Sequence, residues 1–178
     1  MEFNRTDIQG CYLITPFSQA DERGEFVKFY NSEAYAKNDL NFEIKEIYYS
    51  TSKKNVLRGF HFQTPPADHT KIVNCFTGAI ADFVLDIRVE SPTYGKCIVL
   101  ELSASNKQAV YIPKGCAHGF LSLEDNTIVT YLQETVYNPQ LDSGILWSSI
   151  DIPYEITNPT LSSRDQEFPS FQQFKSPF

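Results

Sequence analysis

From Phe42 onward, short hydrophobic segments alternate with polar segments that are rich in glycine, proline and aspartate. The hydrophobic segments recur about every ten residues, a spacing typical of antiparallel sandwiches and barrels. They read FEIKEIYYS, NVLRGFHF, KIVNCF, AIADFVLDIR, KCIVLEL, QAVYI, GFLSL and TIVTYLQET. Their β-branched and aromatic residues predict strands, and intervening segments such as TPPAD and LEDN predict turns. Only SEAYAKN and the residues after Leu161 have a helical pattern. The pattern predicts an all-β fold with short peripheral helices.

The segment AIADFVLDIR alternates strictly between two faces of a predicted strand. One face carries Asp82 and Asp86 among aliphatic residues, and the other face is wholly apolar. If the apolar face packs on a second sheet, the carboxylates point to the surface or to a polar cavity. If the carboxylates line the interior of a barrel, they belong to a functional site, because an unpaired buried carboxylate is strongly destabilising. The pattern leaves both alternatives open.

Length and composition are those of one domain spanning residues 1–178. The hydrophobic content of 42% supplies a continuous core. The net charge is -7, and because nucleic acids and anionic membranes attract basic surfaces, we expect neither as a partner. No hydrophobic run reaches the ~20 residues that span a bilayer, and no apolar signal region is present, so we expect a cytoplasmic protein. The four cysteines form no CxxC pair, and we expect reduced, mostly buried thiols.

Two of the three histidines lie within predicted strands, His61 in VLRGFHFQ and His118 in YIPKGCAHGF. Imidazole is the natural side-chain base near neutral pH, although a single histidine in a strand is more often structural. The neighbourhood favours a site, because Arg58, Gln63 and Lys71 place polar groups where an ordinary strand would alternate cleanly. This cluster of donors predicts an anion-binding pocket.

Arg58 and His61 are three residues apart, which would place them on opposite faces of a regular strand. Gly59 lies between them, and a glycine inside a strand often marks a bulge that redirects one side chain. We therefore predict a bulge or irregularity at Gly59 that lets both side chains face one pocket.

Eight segments together carry a resemblance to a known family. In chain order they read DERGEF, NVLRGFHFQ, HTKIV, GAIADFVLDIR, SPTYGK, YIPKGCAHGFL, TYLQETVYNP and LSSRD. In this order and spacing they resemble the dTDP-4-dehydrorhamnose 3,5-epimerase family. The resemblance implies a jelly-roll, cupin-like β-barrel and a homodimer formed by exchange of amino-terminal strands. It also implies a reaction that needs no metal and no organic cofactor.

The resemblance implies a catalytic role for several residues. His61 matches the general base, and Asp165 in LSSRD matches the carboxylate that orients the base. Tyr131 matches the acid that returns a proton from the opposite side. Lys71 matches a cation near the enolate oxygen, and Arg58 matches a residue that holds the substrate near its diphosphate.

Other positions match residues that support the reaction or contact the substrate. His118 and Asp82 match polar neighbours of the base. Tyr137 in VYNP matches an aromatic position near the sugar and the nucleotide base. Retention of a tyrosine there favours inversion of two carbons over inversion of one.

The nucleotide end departs from the family pattern. Arg23 and Phe26 keep the pattern of the strand that reaches a neighbouring subunit's nucleotide, but Lys28 stands where the family commonly has a glutamate. A carboxylate accepts the N3 proton of thymine, whereas an ammonium group only donates, which suits cytosine or guanine better. Glu46 and Tyr48 also replace an expected glutamine and asparagine. The alternative is that Lys28 simply points to solvent.

Three of these assignments have a structural alternative. Asp165 follows Ser162 at the spacing of a helix-capping box, and Tyr131 could be a core tyrosine with its hydroxyl satisfied. Lys71 at the start of a strand would usually be a solvated charge. The ordered family motifs favour the functional interpretation of all three.

A metal centre is not expected. Metal-binding cupins commonly offer an HxH pair, whereas His61 is followed by Phe62 and Gln63. A three-histidine site would also require every histidine in the chain.

The expected activity is inversion of carbons 3 and 5 of a nucleoside-diphosphate 4-keto-6-deoxyhexose, with dTDP as the first choice of carrier. One alternative is inversion of carbon 3 alone, or a CDP- or GDP-linked substrate. A second alternative, from another functional class, is a non-catalytic module that binds a sugar nucleotide.

Overall fold

The computed structural model describes all of residues 1–178. It contains thirteen strands, two short α-helices and one 3-10 helix. The strands are β1 (Glu2–Arg5), β2 (Tyr12–Thr15), β3 (Phe17–Asp21), β4 (Gly24–Lys28), β5 (Glu46–Ser52), β6 (Leu57–Gln63), β7 (Lys71–Thr77), β8 (Ala79–Asp86), β9 (Cys97–Ser103), β10 (Ala109–Ile112), β11 (Cys116–Ser122), β12 (Thr127–Gln133) and β13 (Asp142–Gly144). The α-helices are α1 (Ser32–Ala36) and α2 (Ser163–Gln166), and the 3-10 helix is Trp147–Ser149.

The strands form two antiparallel sheets and a separate hairpin. The six-stranded sheet has the order β1-β2-β10-β7-β12-β5, and the five-stranded sheet has the order β13-β6-β11-β8-β9. Strands β3 and β4 pair only with each other. The expected all-β jelly roll is confirmed, and each predicted hydrophobic segment from β5 to β12 contains a strand. The pattern did not predict β13 or the four amino-terminal strands.

Three apolar clusters stabilise this arrangement. One lies between the two sheets and includes Val73 and Val129 from one sheet and Val84 from the other. A second packs the outer face of the five-stranded sheet against the carboxyl-terminal segment, and a third packs the outer face of the six-stranded sheet against α1 and its neighbours. Because both outer faces are covered, most central strands are buried on both sides.

The orientation of β8 decides between the two alternatives for its carboxylates. Its wholly apolar face, including Phe83 and Leu85, packs against carboxyl-terminal residues such as Phe171. Its carboxylate face therefore points between the sheets, where Asp82 is fully buried. Asp82 thus belongs to the interior of the barrel, as the second alternative required.

The four cysteines are free and buried. The helices at Ser32–Ala36 and Ser163–Gln166 lie within the two segments with a helical pattern. None of the helices has the length and apolar character needed to cross a membrane.

Candidate active site

A chamber of about 180 Å³ lies between the two sheets and brings together five of the polar residues singled out in the sequence: Arg58, His61, Lys71, His118 and Tyr131. It is lined by Tyr48, Ser50, Arg58, His61, Lys71, His118, Phe120 and Tyr131. Strands β5, β7 and β12 supply one wall, and strands β6 and β11 supply the other. Side chains from the two sheets therefore approach a bound molecule from opposite directions.

The register between β6 and β11 explains how Arg58 and His61 share the chamber. His61 pairs with His118 and Arg58 pairs with Phe120, with an irregularity between the two pairs. His118 and Phe120 are two residues apart and point to the same face, so their partners do as well. Two residues of β6 thus oppose the single Gly119 of β11, which is the predicted bulge.

Glycine is required on both sides of this bulge. Gly59 has φ +124°, and a Cβ atom there would lie 2.8 Å from the carbonyl oxygen of His118. A Cβ atom on Gly119 would lie 2.9 Å from the carbonyl oxygen of Arg58. The close approach of the two backbones therefore excludes a side chain at either position.

Asp165 connects the short helix α2 to His61. Its Oδ1 atom lies 2.8 Å from Nε2 of His61, and its Oδ2 atom accepts a hydrogen bond of 3.2 Å from the backbone N–H of Gly59. Ser162 caps the helix by accepting a hydrogen bond from the backbone N–H of Asp165. The helix cap is therefore present, but the carboxylate is directed to the imidazole and the bulge.

The charge on Asp165 is favoured by these contacts. Burial raises the pKa of its carboxyl group, but the hydrogen bonds from His61, Gly59 and Ser162 outweigh that effect and lower the pKa. The carboxylate is thus ionised at neutral pH, and it orients the imidazole and stabilises its protonated form. Nδ1 of His61 makes no hydrogen bond within the protein and is free to accept a proton.

An aromatic layer holds α2 against His61. The ring of Phe168 lies edge-on to the imidazole, with centroids 5.6 Å apart and an interplanar angle of 74°. Gly144 of β13 lies beneath Phe168, and a Cβ atom there would collide with the ring. The guanidinium of Arg164 lies over the same Phe168 ring, 5.1 Å from its centroid, and forms an ion pair of 2.6 Å with Asp142 of β13. These contacts fix the position of the helix that carries Asp165.

Lys71 is buried at the start of β7 and lines the chamber. Burial lowers the pKa of its ammonium group to about 8, against the raising effects of Asp142 and Asp82. The group is therefore mostly charged at neutral pH in a site with little water. The alternative of a solvated surface lysine is excluded by this burial.

Tyr131 enters the chamber from the opposite sheet to His61. Its ring is stacked on Tyr48 with centroids 4.7 Å apart, and its hydroxyl lies 3.5 Å from Oγ of Ser50. Burial raises the pKa of Tyr131 far above that of a free tyrosine. The hydroxyl is therefore protonated at neutral pH and available as an acid.

His118 and Asp82 form a second buried pair, with Nε2 and Oδ2 2.7 Å apart. His118 lines the chamber, whereas Asp82 lies behind it and is fully buried. Burial raises the pKa of Asp82, opposed by His118 and Lys71. Asp82 therefore does not line the chamber itself, and its carboxylate holds the imidazole of His118 from behind.

Arg58 lies at the border between the chamber and an outer groove of about 360 Å³. Its guanidinium donates to Oγ of Ser52 and to the carbonyl oxygen of Thr51, and it pairs with no carboxylate of the protein. Arg164 also lines the groove. A ligand that passes from chamber to groove therefore meets two guanidinium groups, which suit phosphate oxygens.

The remaining predicted residues lie elsewhere in this chain. Arg23, Phe26 and Lys28 are on the exposed β3–β4 hairpin, where Arg23 pairs with Asp21 at 2.6 Å. Lys28 lies 5.8 Å from the ring centroid of Phe26. Tyr137 is 53% exposed in the loop after β12 and does not line the chamber. None of these four contributes to the chamber within one chain.

The sequence interpretation did not assign a catalytic or binding role to several residues that line the chamber or groove. They include Tyr48, Ser50 and Phe120 in the chamber and Arg164 in the groove. Tyr48 and Ser50 alternate on β5 and pair with Tyr131 and Val129 of β12, so strand register was the missing information. Arg164 immediately precedes Asp165, and its ion pair with Asp142 could not be read from the sequence.

No group of three or more histidine, cysteine, aspartate or glutamate side chains lies close enough together to hold a metal ion. His69, the third histidine, is outside the chamber, where its Nδ1 atom lies 2.8 Å from the hydroxyl of Thr135. Burial, followed by the charge of Lys71, lowers the pKa of His69 to about 3, so this imidazole is neutral.

The amino-acid sequence is similar to a described family and to individual proteins. Residues 5–173 match the family described as dTDP-4-dehydrorhamnose 3,5-epimerase. The dTDP-4-dehydrorhamnose 3,5-epimerase of Shigella flexneri is 38% identical over 168 residues, which cover 93% of each chain. The dTDP-4-dehydrorhamnose 3-epimerase of Streptomyces niveus is 34% identical over 170 residues, covering 94% of this chain and 82% of that protein.

A solved structure is similar across nearly the whole chain. The dTDP-4-dehydrorhamnose 3,5-epimerase of Bacillus anthracis, crystallised with TDP and PPi bound, superposes with a TM-score of 0.91. It is 34% identical in sequence, and the match covers 95% of this chain and 98% of that chain.

Proposed function

This chain belongs to the dTDP-4-dehydrorhamnose 3,5-epimerase family, and we propose that it inverts carbons 3 and 5 of dTDP-4-dehydro-6-deoxyglucose. The family is one of isomerases, and membership therefore favours an enzyme over the alternative of a non-catalytic module that binds a sugar nucleotide. The observation that carries the proposal is the chamber geometry. His61 of the five-stranded sheet, bound to Asp165 of α2, faces the protonated Tyr131 and the buried Lys71 of the six-stranded sheet.

The first step that we propose is proton removal by His61. Carbons 3 and 5 both flank the ketone at carbon 4, so loss of either proton gives an enolate. The electron pair of the C–H bond moves to the ketone oxygen while the proton moves to the imidazole. Asp165, 2.8 Å from Nε2, stabilises the imidazolium that results.

Lys71 is positioned to stabilise the enolate. A preformed positive charge is most effective in a site that excludes water, because the surrounding groups need no reorganisation as negative charge develops. Lys71 is only 7% exposed and shares the chamber with His61. We assign the ketone oxygen to the Lys71 side of the chamber.

Tyr131 completes the inversion. The enolate electron pair forms a new C–H bond with the proton of the Tyr131 hydroxyl, which restores the ketone while the O–H bond breaks. The tyrosinate then regains a proton from water and the imidazolium of His61 releases its proton to water, so both side chains return to their starting states. Because Tyr131 and His61 come from opposite sheets, the proton returns to the face opposite the one it left. This arrangement explains why the product has inverted configuration.

The nucleotide is proposed to extend out of the chamber. A chamber of about 180 Å³ is smaller than the ~300 to 1,000 Å³ typical of pockets that hold a whole ligand. The sugar occupies the chamber in this proposal, and the diphosphate follows Arg58 into the outer groove.

We further propose a homodimer in which the β3–β4 hairpin reaches the nucleotide of the partner. Its own chain leaves Phe26 57% exposed and Arg23 without any contact to the chamber. An exposed aromatic residue next to two cations suits a base and its phosphates. Arg23→Ala should raise KM with little effect on kcat, and light scattering of the protein should give twice the mass of one chain. A monomer with full activity would contradict the exchange.

A second candidate is inversion of carbon 3 alone. The similarity to a 3-epimerase, at 34% identity, is close to the similarity to 3,5-epimerases. The same candidate class includes CDP- and GDP-linked ketones. Lys28 can only donate hydrogen bonds, and cytosine and guanine offer acceptors to such a donor. Incubation of each nucleotide sugar with the enzyme separates these substrates by product configuration.

The single domain at residues 1–178, the cytoplasmic location and the lack of a cofactor stay predictions. The proposed steps use only side chains of this protein and its partner hairpin. Activity that persists after dialysis against EDTA is the expected result for a reaction of this kind.

The experiment that tests the proposal replaces the base. We expect His61→Asn to retain the fold and to lose proton exchange at both carbons of dTDP-4-dehydro-6-deoxyglucose. His69→Asn is the matched control, because His69 lies outside the chamber. Undiminished exchange in the His61 variant would exclude the proposed mechanism.

A further inference from the structure

Tyr48 is the nearest aromatic neighbour of the proposed acid. It pairs directly with Tyr131 in the register of β5 and β12, so both side chains point into the chamber. Their rings are stacked nearly parallel, with an interplanar angle of 14° and centroids 4.7 Å apart. The stack restricts the direction in which the Tyr131 hydroxyl can point.

Tyr48 is itself held in place by a buried side chain. Nε2 of Gln133 donates a hydrogen bond of 2.6 Å to the Tyr48 hydroxyl, and Gln133 is only 5% exposed. Tyr48 is 41% exposed, but the buried part of its ring raises the pKa of the phenol, which is therefore neutral and accepts this bond. Gln133 and Tyr131 lie two residues apart on β12 and share a face. Tyr48, Gln133 and Tyr131 therefore form one connected unit.

The strand order places the Tyr48 ring on the side of Tyr131 that faces the edge of the sheet. On the inner side Tyr131 pairs with Val73 of β7, which is fully buried. On the outer side lies β5, which is the last strand of the sheet. Tyr48 is thus the side chain that separates Tyr131 from the sheet edge, and its loss would open space on that side.

We infer that Tyr48 is a positioning residue for Tyr131 and that it sets how protonation is divided between carbons 3 and 5. The inference rests on the proposed function. The two carbons lie on opposite sides of the ketone, so an acid held in one direction does not reach them equally. A Tyr131 ring that is free to tilt would deliver its proton with a different preference.

The test measures, by NMR in deuterated buffer, the ratio of the inversion rate at carbon 3 to that at carbon 5 of dTDP-4-dehydro-6-deoxyglucose, because inversion needs the acid whereas deuterium uptake alone does not. Tyr48→Ala and Tyr48→Leu remove the stack, the latter keeping an apolar side chain in its place. Tyr48→Phe keeps the ring and removes only the bond to Gln133. Tyr49→Ala is the matched control, because Tyr49 points to the other face of β5 and is 68% exposed.

We expect the ratio to change by about two- to tenfold in the alanine and leucine variants, as follows from the strength of an aromatic pair. Their kcat should fall while KM changes little. Tyr49→Ala should keep the ratio of the unmodified protein, whereas Tyr48→Phe, which keeps the stacked ring but loses the bond from Gln133, should change it less than Tyr48→Ala does. A general loss of structure would lower the rate at both carbons together and leave their ratio unchanged.

An unchanged ratio in folded Tyr48→Ala and Tyr48→Leu would overturn the inference, as would an equal change in Tyr49→Ala. Thermal unfolding identifies the folded variants. If the unmodified protein exchanged neither carbon, the proposed function itself would fail. Exchange by the unmodified protein therefore tells failure of the Tyr48 inference apart from failure of the proposed function.

Discussion

The imidazole of His61 and the carboxylate of Asp165 are 2.8 Å apart, although 104 residues separate them in the chain. The contact depends on α2, whose cap residue Ser162 holds the backbone N–H of Asp165. It also depends on the bulge at Gly59, whose backbone N–H binds the same carboxylate. The barrel and the carboxyl-terminal segment thus meet at the proposed base and its carboxylate partner.

We expect Asp165→Asn to lower kcat roughly 10²- to 10⁴-fold, the range typical of a lost general-base contribution. The amide keeps the size of the side chain but removes the charge that stabilises the imidazolium. Steady-state kinetics measure the effect. Asp151→Asn is the control, because Asp151 is exposed and lies outside the chamber. Equal kcat in the two variants would contradict the role of Asp165.

Tyr131→Phe should separate proton removal from inversion. The ring and its stack on Tyr48 remain, but the acid is lost. His61 would still form the enolate and return a deuteron from the face it took the proton from. Recovered substrate should therefore contain deuterium without inversion, as seen by NMR. Inversion at the normal rate would show that another group is the acid.

The pH dependence should report the charge of Lys71. Its pKa in the folded protein, about 8, is below the ordinary value of 10.5, so the ammonium is present below about pH 8 and lost above it. We therefore expect kcat/KM to fall as pH rises through about 8. In Lys71→Arg this decline should move upward, because a guanidinium stays charged to a pKa of about 12 or more. A profile that is flat to pH 10 would contradict this role.

Gly144→Ala should disturb the base from a distance. The added methyl group collides with Phe168, whose ring packs on His61. We expect a loss of about 1–3 kcal/mol in the free energy of unfolding, typical of overpacking, and a lower kcat. Phe168→Ala removes the other partner of the collision. The double variant should therefore be more stable than the sum of the single changes predicts, and strict additivity would exclude the collision.

Much of the fold could be predicted because strand signals are local. Alternation and turn residues marked β5 to β12, and the glycine between Arg58 and His61 marked the bulge. The short strand Asp142–Gly144 lacks such a pattern, since it is defined by pairing with β6. The amino-terminal strands are short, and the β3–β4 hairpin is exposed. These strands therefore lack the alternation of hydrophobic and polar residues that predicts a strand.

The site was predicted less completely because its contacts are not local. The individual roles came from resemblance, whereas the placement of Tyr48 beside Tyr131 depends on the register of two strands. The position of Asp82 behind His118, and that of Arg164 over Phe168, depend on which faces pack together. Alternation along β8 identified the two faces but left open which one the carboxyl-terminal segment covers.

The most direct test is proton NMR of dTDP-4-dehydro-6-deoxyglucose in deuterated buffer with the purified protein. We predict deuterium uptake at both carbon 3 and carbon 5, together with appearance of the doubly inverted product. Uptake at carbon 3 alone would favour the single-centre epimerase. No uptake at either carbon, in a sample where the ketone is shown to bind, would contradict the proposed function.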